Sequence, residues 1–468
     1  MAKIVEKIYR YLPYPFKFIL LNIKGYQNSK KRYTKAFYEY LEEYNTLWAA
    51  DTATIQKYQS KKLAMVLYEA YLYSDWYSAI MKKLKIKEDE IQKDPFLILA
   101  KMPILTKSER KQNADSIVNT KRKLAGVGYT SGTSGSPTIN YLDLESINRS
   151  FALWRRFHNT IGIGLKVKQV RFSGRLMVRP ETKKPPFWMY NRSERQLLMS
   201  TYHLTDANLP EYAKKLNTFK PVLLDGYPSA IYVISKFINE NNIKLVFNPK
   251  AIAVTAETLY DYQRTEIERA FNCHVYNQYA SSEGSPFITE CTKGNLHLNL
   301  DSGVFEFINN AGKPAKPNEI AQLVVTSFTN LKTPLIRYNI EDTVLLATED
   351  KVCSCGCQMP MIEKLTGRED DMLWTKEKGY VGRMDTAYKS LKGIVKGQII
   401  QKAENTVLVN LITNHEFDTG IEKELLQNLK DRLGEKVDYT INKVDKIPLG
   451  ANGKFVAVKR KFRIDFNN

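Results

Sequence analysis

The densest run of groups able to do chemistry is Thr130-Ser131-Gly132-Thr133-Ser134-Gly135, bounded by hydrophobic sequence. Glycine lets the backbone approach a ligand closely, and successive amides and hydroxyls make a donor nest that suits phosphate oxygens. No Gly-Lys-Ser/Thr follows at the spacing of the common phosphate loop, so a phosphate site here is of another kind. As local sequence, the run also suits a flexible linker or tight turn. A second constellation is Cys291 and His297, followed some sixty residues later by Cys353, Cys355 and Cys357. An odd, clustered set of thiols favours metal ligation over a disulfide framework in a reducing compartment. Cys291, His297, Cys353 and Cys355 would complete one tetrahedral zinc site, with Cys357 able to replace Cys355; free buried thiols are the alternative. A closed four-ligand site staples a fold and performs no catalysis.

Both constellations need elements to hold them. The 468 residues exceed one compact core and predict two or more domains. With 43% apolar and 26% charged residues, the chain reads as folded and globular, which excludes a fibre or a disordered tail. From Lys30 to about Lys111 apolar residues recur at helical spacing, as in Phe37, Tyr40, Leu41 and Tyr44. Short β-rich runs (222–224, 251–254, 274–276) then alternate with helical stretches (229–241, 259–271), the pattern of an α/β domain with a largely parallel sheet. After Leu296 the runs become β-rich (304–308, 322–326), and the last hundred residues read as a small α+β domain. The expected division is 1–112 for a helical section of the large domain, 113–369 for a core with a β-rich subdomain, and 370–468 for the small domain.

The net charge of +20 would draw anionic partners. Its cations are scattered through every region, which favours a solvated basic surface, and no nucleic-acid module is recognised. No run approaches the ~20 apolar residues of a spanning helix, and the opening residues lack a signal-peptide core, so a cytoplasmic protein is expected. The stretch from Ile8 to Leu21 is apolar, aromatic and basic at once. It suits either a membrane surface or packing onto the body, with packing the expectation and peripheral membrane contact left open.

The Thr130–Gly135 run resembles the phosphate loop of the adenylate-forming acyl-CoA synthetase superfamily. Tyr279-Ala280-Ser281-Ser282-Glu283-Gly284 is similar to that family's aromatic-Gly-x-Thr-Glu segment, with Ala280 and Ser282 as mild departures. Arg337-Tyr338-Asn339-Ile340-Glu341-Asp342 resembles Tyr-Arg-Thr-Gly-Asp mainly at Asp342. Gly367-Arg368-Glu369-Asp370-Asp371 resembles the interdomain hinge, and Gly450-Ala451-Asn452-Gly453-Lys454 the loop of the catalytic lysine. Among branches, the phenylacetate-CoA ligase group and its CapK-like relatives of capsule clusters are the most similar, on Glu290-Cys291, His297, Cys353-Ser354-Cys355-Gly356 and Gly397–Gln401.

The resemblance implies a large amino-terminal region and a mobile carboxy-terminal domain pivoting at Asp370. It also implies an ATP-dependent ligase that forms an acyl-adenylate from a carboxylic acid, with aromatic acids favoured. Thr130 to Gly135, Ala256, Glu257, Tyr279, Ser282, Asp342 and Arg368 would bind the nucleotide, and Tyr227 and Pro228 would wall the acyl pocket. Glu283 would hold Mg2+, and Lys454 would meet the carboxylate and α-phosphate. Coenzyme A, a carrier-protein thiol or a sugar amine or hydroxyl would accept the acyl group, in polysaccharide or secondary-metabolite synthesis. Family members carry a structural metal at the cysteine cluster. A non-catalytic binding protein with the same fold is the rival reading, and Lys454, Glu283 and Asp342 argue against it because a scaffold needs none of them. His158, His203, His274 and His415 are isolated and expected to be structural or exposed. The sequence assigns no oligomeric state.

Overall fold

The computed structural model describes residues 12–129, 138–175, 177–179, 181–281, 287–309, 311–348, 352–368, 373–377, 379–381, 384–388, 391–448 and 455–462. The chain divides into two compact units. The larger comprises 1–340 and 345–364, the smaller 341–344 and 365–468.

The large unit opens with helices α1 (Tyr14–Arg32), α2 (Lys35–Trp48), α3 (Thr52–Tyr73), α4 (Asp75–Lys83), α5 (Glu88–Lys93), α6 (Pro95–Lys101) and α7 (Lys107–Gln112). Local sequence sets their ends. Asp51 accepts a hydrogen bond from the Thr54 amide at 2.7 Å to start α3, and Thr106 and Glu109 form a reciprocal capping box at α7. In α2, Phe37, Leu41, Tyr44 and Leu47 recur on one face and are buried with Ala152 and Leu153 of α8 (Leu144–Thr160). The hairpin β1 (Gly126–Tyr129) and β2 (Ile139–Leu142) pairs Tyr129 with Ile139. Its connection in sequence is the Ser/Gly/Thr run.

A twelve-stranded sheet follows, built from β3 (Gln169–Ser173), β4 (Trp188–Asn191), β5 (Gln196–Ser200), β6 (Leu223–Gly226), β7 (Ala251–Thr255), β8 (Val275–Ala280), β9 (Phe287–Glu290), β10 (Leu296–Leu298), β11 (Gly303–Ile308), β12 (Ile320–Ser327), β13 (Tyr338–Leu346) and β14 (Met361–Arg368). The spatial order is β11-β12-β13-β14-β10-β9-β8-β7-β6-β3-β5-β4. Strands β5, β3, β6, β7 and β8 are parallel, linked by α9 (Leu209–Phe219), α10 (Pro228–Glu240) and α11 (Asp261–Phe271). Strands β6 and β7 are buried at every position, as expected where helices cover both faces of a sheet. Val170, Phe172, Leu224, Ile252 and Val254 interlock there with Leu216, Ile231, Ile234 and Ile267 of the helices. At β9 the direction reverses, and β9 and β10 continue antiparallel. The β-rich region expected as a separate section thus extends the same hydrogen-bonded sheet, because β8 offers β9 its free edge. Strand β4 closes the other end, and α1 packs along it: Asn22 Nδ2 donates to Tyr190 O at 3.0 Å, and Phe18 and Leu21 contact the cluster of Met177, Met189 and Leu198.

The small unit contains the hairpin β15 (Leu373–Thr375) and β16 (Gly379–Val381), then β17 (Ile394–Ala403), β18 (Thr406–Thr413), α12 (Thr419–Leu433), β19 (Asp438–Lys443) and β20 (Val458–Arg460). Its four-stranded sheet runs β19-β18-β17-β20. Ile399, Val407, Val409 and Leu411 of the strands are fully buried, as are Leu425, Leu429 and Leu433 of the helix.

Candidate active site and metal centre

The parallel strands place their carboxyl ends on one edge. Phe172 lies opposite Gly226, Gly226 opposite Val254, and Thr255 opposite Gln278. Ligands of open α/β sheets bind outside such strand ends. Tyr227 and Pro228 follow β6, Ala256 and Glu257 follow β7, and Tyr279 is the penultimate residue of β8, so the sheet gathers five of the expected site residues. Gly226 has φ +134°, and a Cβ there would fall 1.9 Å from the Phe172 carbonyl oxygen, so only glycine allows β6 to turn into α10. Pro228 occupies the first helical turn, where its missing N–H costs nothing. Glu257 accepts a hydrogen bond from the Ser229 amide at 3.2 Å, which sets a carboxylate at the amino end of α10. Ala256 has φ +69°, a left-handed conformation that costs a side-chain-bearing residue about 1–2 kcal/mol.

The same edge holds charged residues that the sequence reading did not single out. Arg171 of β3 is the register partner of Asp225 of β6, forms an ion pair with it, and lies over the Trp154 ring at 5.3 Å. Asp225 is buried; desolvation raises its carboxyl above the ordinary value, and Arg171 opposes that rise. Its Oδ1 has no hydrogen-bond partner among the described residues. Arg175, two residues past β3, reaches solvent although protein surrounds it on most sides. Desolvation, with the nearby charges of Arg171 and Arg32, pulls its guanidinium down to about 10. Among the described residues no hydrogen bond or ion pair holds the Arg175 side chain. A guanidinium with unused donors at a strand terminus is suited to receive a carboxylate or phosphate. The sequence signal was Arg171-Phe172-Ser173-Gly174-Arg175, which sets cations on both sides of a strand end.

Asp342 lies half-buried in β13, in the part assigned to the small unit. Arg368 ends β14, with its side chain outside the described set. Thr130, Ser131, Gly132, Thr133, Ser134, Gly135, Ser282, Glu283, Asp370 and Lys454 lie outside the described residues. His158 is buried between Trp154 and Phe157, and desolvation holds its pKa well below the ordinary value. Both ring nitrogens of His203 are satisfied, by Ser200 Oγ at 2.8 Å and Arg179 O at 2.9 Å.

In the antiparallel half, β9 delivers Cys291 into a turn, and β10 carries His297 opposite Thr289 and Met361. The turn at 353–357 precedes β14, with Gly356 at φ +88°. One donor atom from each of Cys291, His297, Cys353 and Cys355 lies within 4.8 Å of the others. Cys291 Sγ is 3.6 Å from Cys353 Sγ, and Cys355 Sγ is 3.4 Å from His297 Nε2. Zn–S bonds of about 2.3 Å in tetrahedral array need sulfurs roughly 3.8 Å apart, so this donor set fits zinc. His297 Nδ1 lies 2.9 Å from the Met359 carbonyl; donation there leaves Nε2 unprotonated and turned to the thiols. Burial alone would raise the Cys353 thiol, but hydrogen bonds from the Cys355 backbone and from Asn295 Nδ2 at 3.2 Å are among those that outweigh it and bring it to about 6. Cys357 sits instead among Phe37, Leu41 and Met359, and burial pushes its thiol up to about 12, so the geometry selects Cys355 over Cys357 as the fourth donor. Beside this cluster, Arg156 and Asp301 form an ion pair, 1% and 0% exposed, with the guanidinium over Trp48 at 4.8 Å. Trp48 in turn meets the His297 ring edge-on at 5.4 Å.

The architecture is that of the adenylate-forming CoA ligases. A solved 2-hydroxyisobutyryl-CoA ligase, in the postadenylation state in complex with R3-HIB-AMP, superposes with a TM-score of 0.67 at 17% identity, over 89% of this chain and 91% of that one. An anthranilate CoA ligase in complex with anthranoyl-AMP gives 0.53 at 12% identity, over 71% and 64%. Within that superfamily the chain belongs to the CapK family: it is 36% identical to Protein CapK of Staphylococcus aureus over 457 residues, 96% of this chain and 97% of that protein. Residues 373–461 match the family model described as the CapK C-terminal domain. A phenylacetate-coenzyme A ligase of Thermus thermophilus is 24% identical over 275 residues, 54% of this chain and 56% of that one.

Proposed function

We propose that this protein is an ATP-dependent, AMP-forming ligase that activates a carboxylic acid as its acyl-adenylate and passes the acyl group to an acceptor. The observation behind this reading is the convergence of Tyr227, Ala256, Glu257 and Tyr279 with Arg175 on one sheet edge. Joining a carboxylate to ATP brings two anions together, and preorganised cations are what such a reaction requires of its site. Arg175 is placed to draw the acid in. Lys454 then neutralises the charge developing at the α-phosphate as the acid's oxygen bonds to phosphorus and pyrophosphate departs. Mg2+, when bound with Glu283, eases that departure. Similarity to the phenylacetate-coenzyme A ligase favours an aromatic acid. Coenzyme A is the first acceptor to test, ahead of a carrier-protein thiol or a sugar amine or hydroxyl in polysaccharide or secondary-metabolite synthesis. Cys291, His297, Cys353 and Cys355 hold a structural zinc in this reading.

The test is acid-dependent ATP–pyrophosphate exchange over aryl, fatty, amino and hydroxy acids, with Lys454→Ala alongside. One such cation is worth ~3–4 kcal/mol of barrier, so the variant should exchange roughly a hundredfold more slowly or worse. No exchange with any acid, together with no ATP binding by calorimetry, would return the chain to a non-catalytic scaffold.

A further inference from the structure

Helix α1 has two faces with opposite characters. One is fastened to the body: besides Asn22, Phe18 and Leu21, its Gly25 lies against Asn191, Tyr14 donates to the Trp188 carbonyl at 3.3 Å, and Arg32 pairs with Glu194 at 3.1 Å. The other carries Phe16, Ile19, Leu20, Ile23 and Tyr26, which are 58, 53, 44, 51 and 57% exposed. Positions 16, 19, 20, 23 and 26 follow the helical repeat, so these side chains form one stripe on a helix of 19 residues. Single exposed apolar residues are ordinary on a protein surface, but a contiguous stripe marks an interaction site.

The charges on α1 indicate what covers the stripe. Its sequence has five cations, Lys17, Lys24, Lys30, Lys31 and Arg32, and no acidic residue. Lys17 is buried, Arg32 is paired and Lys31 Nζ donates to the Ala125 carbonyl at 2.8 Å, which leaves Lys24 and Lys30 exposed beside the stripe and near its carboxyl-terminal end. Lys3, Lys7 and Arg10, with the single acid Glu6, precede the helix in sequence. A second copy of this surface would set lysines against lysines, whereas an anionic bilayer offers hydrocarbon for the stripe and phosphate for the cations. No described helix is long and apolar enough to cross a membrane, which leaves the interfacial mode.

We infer that α1 docks the protein on an anionic membrane surface, with Phe16, Ile19, Leu20, Ile23 and Tyr26 in the headgroup–acyl boundary and Lys24 and Lys30 on lipid phosphates. The stripe is already helical and fixed to the body, so binding does not have to fold it. The docking itself does not depend on the reading of the active site.

The test is co-sedimentation of the full chain with vesicles of phosphatidylcholine alone and of equimolar phosphatidylcholine and phosphatidylglycerol. Wild type should bind the anionic vesicles, and raised salt should weaken the binding. Ile19→Glu/Ile23→Glu should reduce it by roughly tenfold or more, because both burial sites are lost. Each of Lys24→Gln and Lys30→Gln should weaken it by roughly fivefold. Val246→Glu, an exposed apolar site on the body, should leave binding unchanged. Both substituted isoleucines face solvent, so the folded state is retained and a thermal melt checks it. The inference is overturned by absent vesicle binding, or by a double variant that binds as wild type does, which would leave adsorption of a basic surface alone. A double variant that converts a dimer to a monomer in light scattering would equally overturn it, because the stripe would then belong to a second copy.

Discussion

The two halves of the large sheet solve different problems. In the parallel half, helices cover both faces of the strands, so nothing chemical is presented except at the strand ends. There the chain tolerates the left-handed Ala256, the crowded Gly226, the half-satisfied Asp225 and the Arg175 guanidinium without an ion pair among the described residues. In the antiparallel half, short strands and tight turns bring together Cys291, His297, Cys353 and Cys355, beside the buried Arg156–Asp301 pair. Both halves leave buried polar atoms without hydrogen-bond partners among the described residues, Asp225 Oδ1 in the first and Arg156 Nε and Nη2 and Asp301 Oδ1 in the second, but the first sets its own at strand ends where a ligand can use them, while the second buries its own beside an ion pair. Substitutions in the first should therefore change chemistry with little change in stability, and substitutions in the second should do the reverse.

The largest expected effect is on that ion pair. Asp301→Ala leaves the Arg156 guanidinium buried without its partner and should cost about 3–5 kcal/mol in urea denaturation, with pyrophosphate exchange per folded molecule unchanged. An Arg156→Met/Asp301→Leu pair should recover much of that loss, since the charges vanish together. If Asp301→Ala loses exchange but not stability, the division between the halves is wrong. Close behind is the metal. A zinc site filled at about a thousand times its Kd contributes about 4 kcal/mol, which a strong chelator should remove as a lower Tm. Elemental analysis should find zinc in wild type and in Cys357→Ser but not in Cys291→Ser, and loss of metal from Cys357→Ser alone would reverse the assignment of donors.

Two smaller effects sharpen the other side. Arg175→Gln should raise the KM for the acid about tenfold, as removal of a hydrogen bond to a charged group does, while leaving Tm in place. An unchanged KM would take Arg175 out of the acid site. Ala256→Gly relieves the left-handed backbone and should stabilise the fold by about 1 kcal/mol, read as a rise in Tm. No rise would mean that the strain is absorbed by the neighbouring turn.

Much of this was legible in the chain itself. The alternation of runs around 222–276 predicted the strands β6, β7 and β8 and the helices α10 and α11, and the last hundred residues, read as α+β, hold β17, β18, α12 and β19. Burial is what makes such segments readable, because a strand between helices must be apolar throughout and a surface helix must be apolar on one face. Arg171, Asp225 and Arg175 were not legible as a group. Arg171 and Asp225 lie fifty-four positions apart and become neighbours only through the β3–β6 register. The β-rich region was seen as strands but not as part of the same sheet, since hydrophobic pattern records which face is buried and not which edge is paired.

The sequence by itself therefore determined the kinds of element, the cysteine and histidine ligands as candidates, and the basic, apolar and aromatic character of the first helix, all properties of residue type and near spacing. Tertiary structure decided which of Cys355 and Cys357 joins the cluster, which strand ends share an edge, and which face of α1 meets the body. Those choices depend on strand register and helix rotation, where a shift of one residue turns a side chain from the interior to solvent.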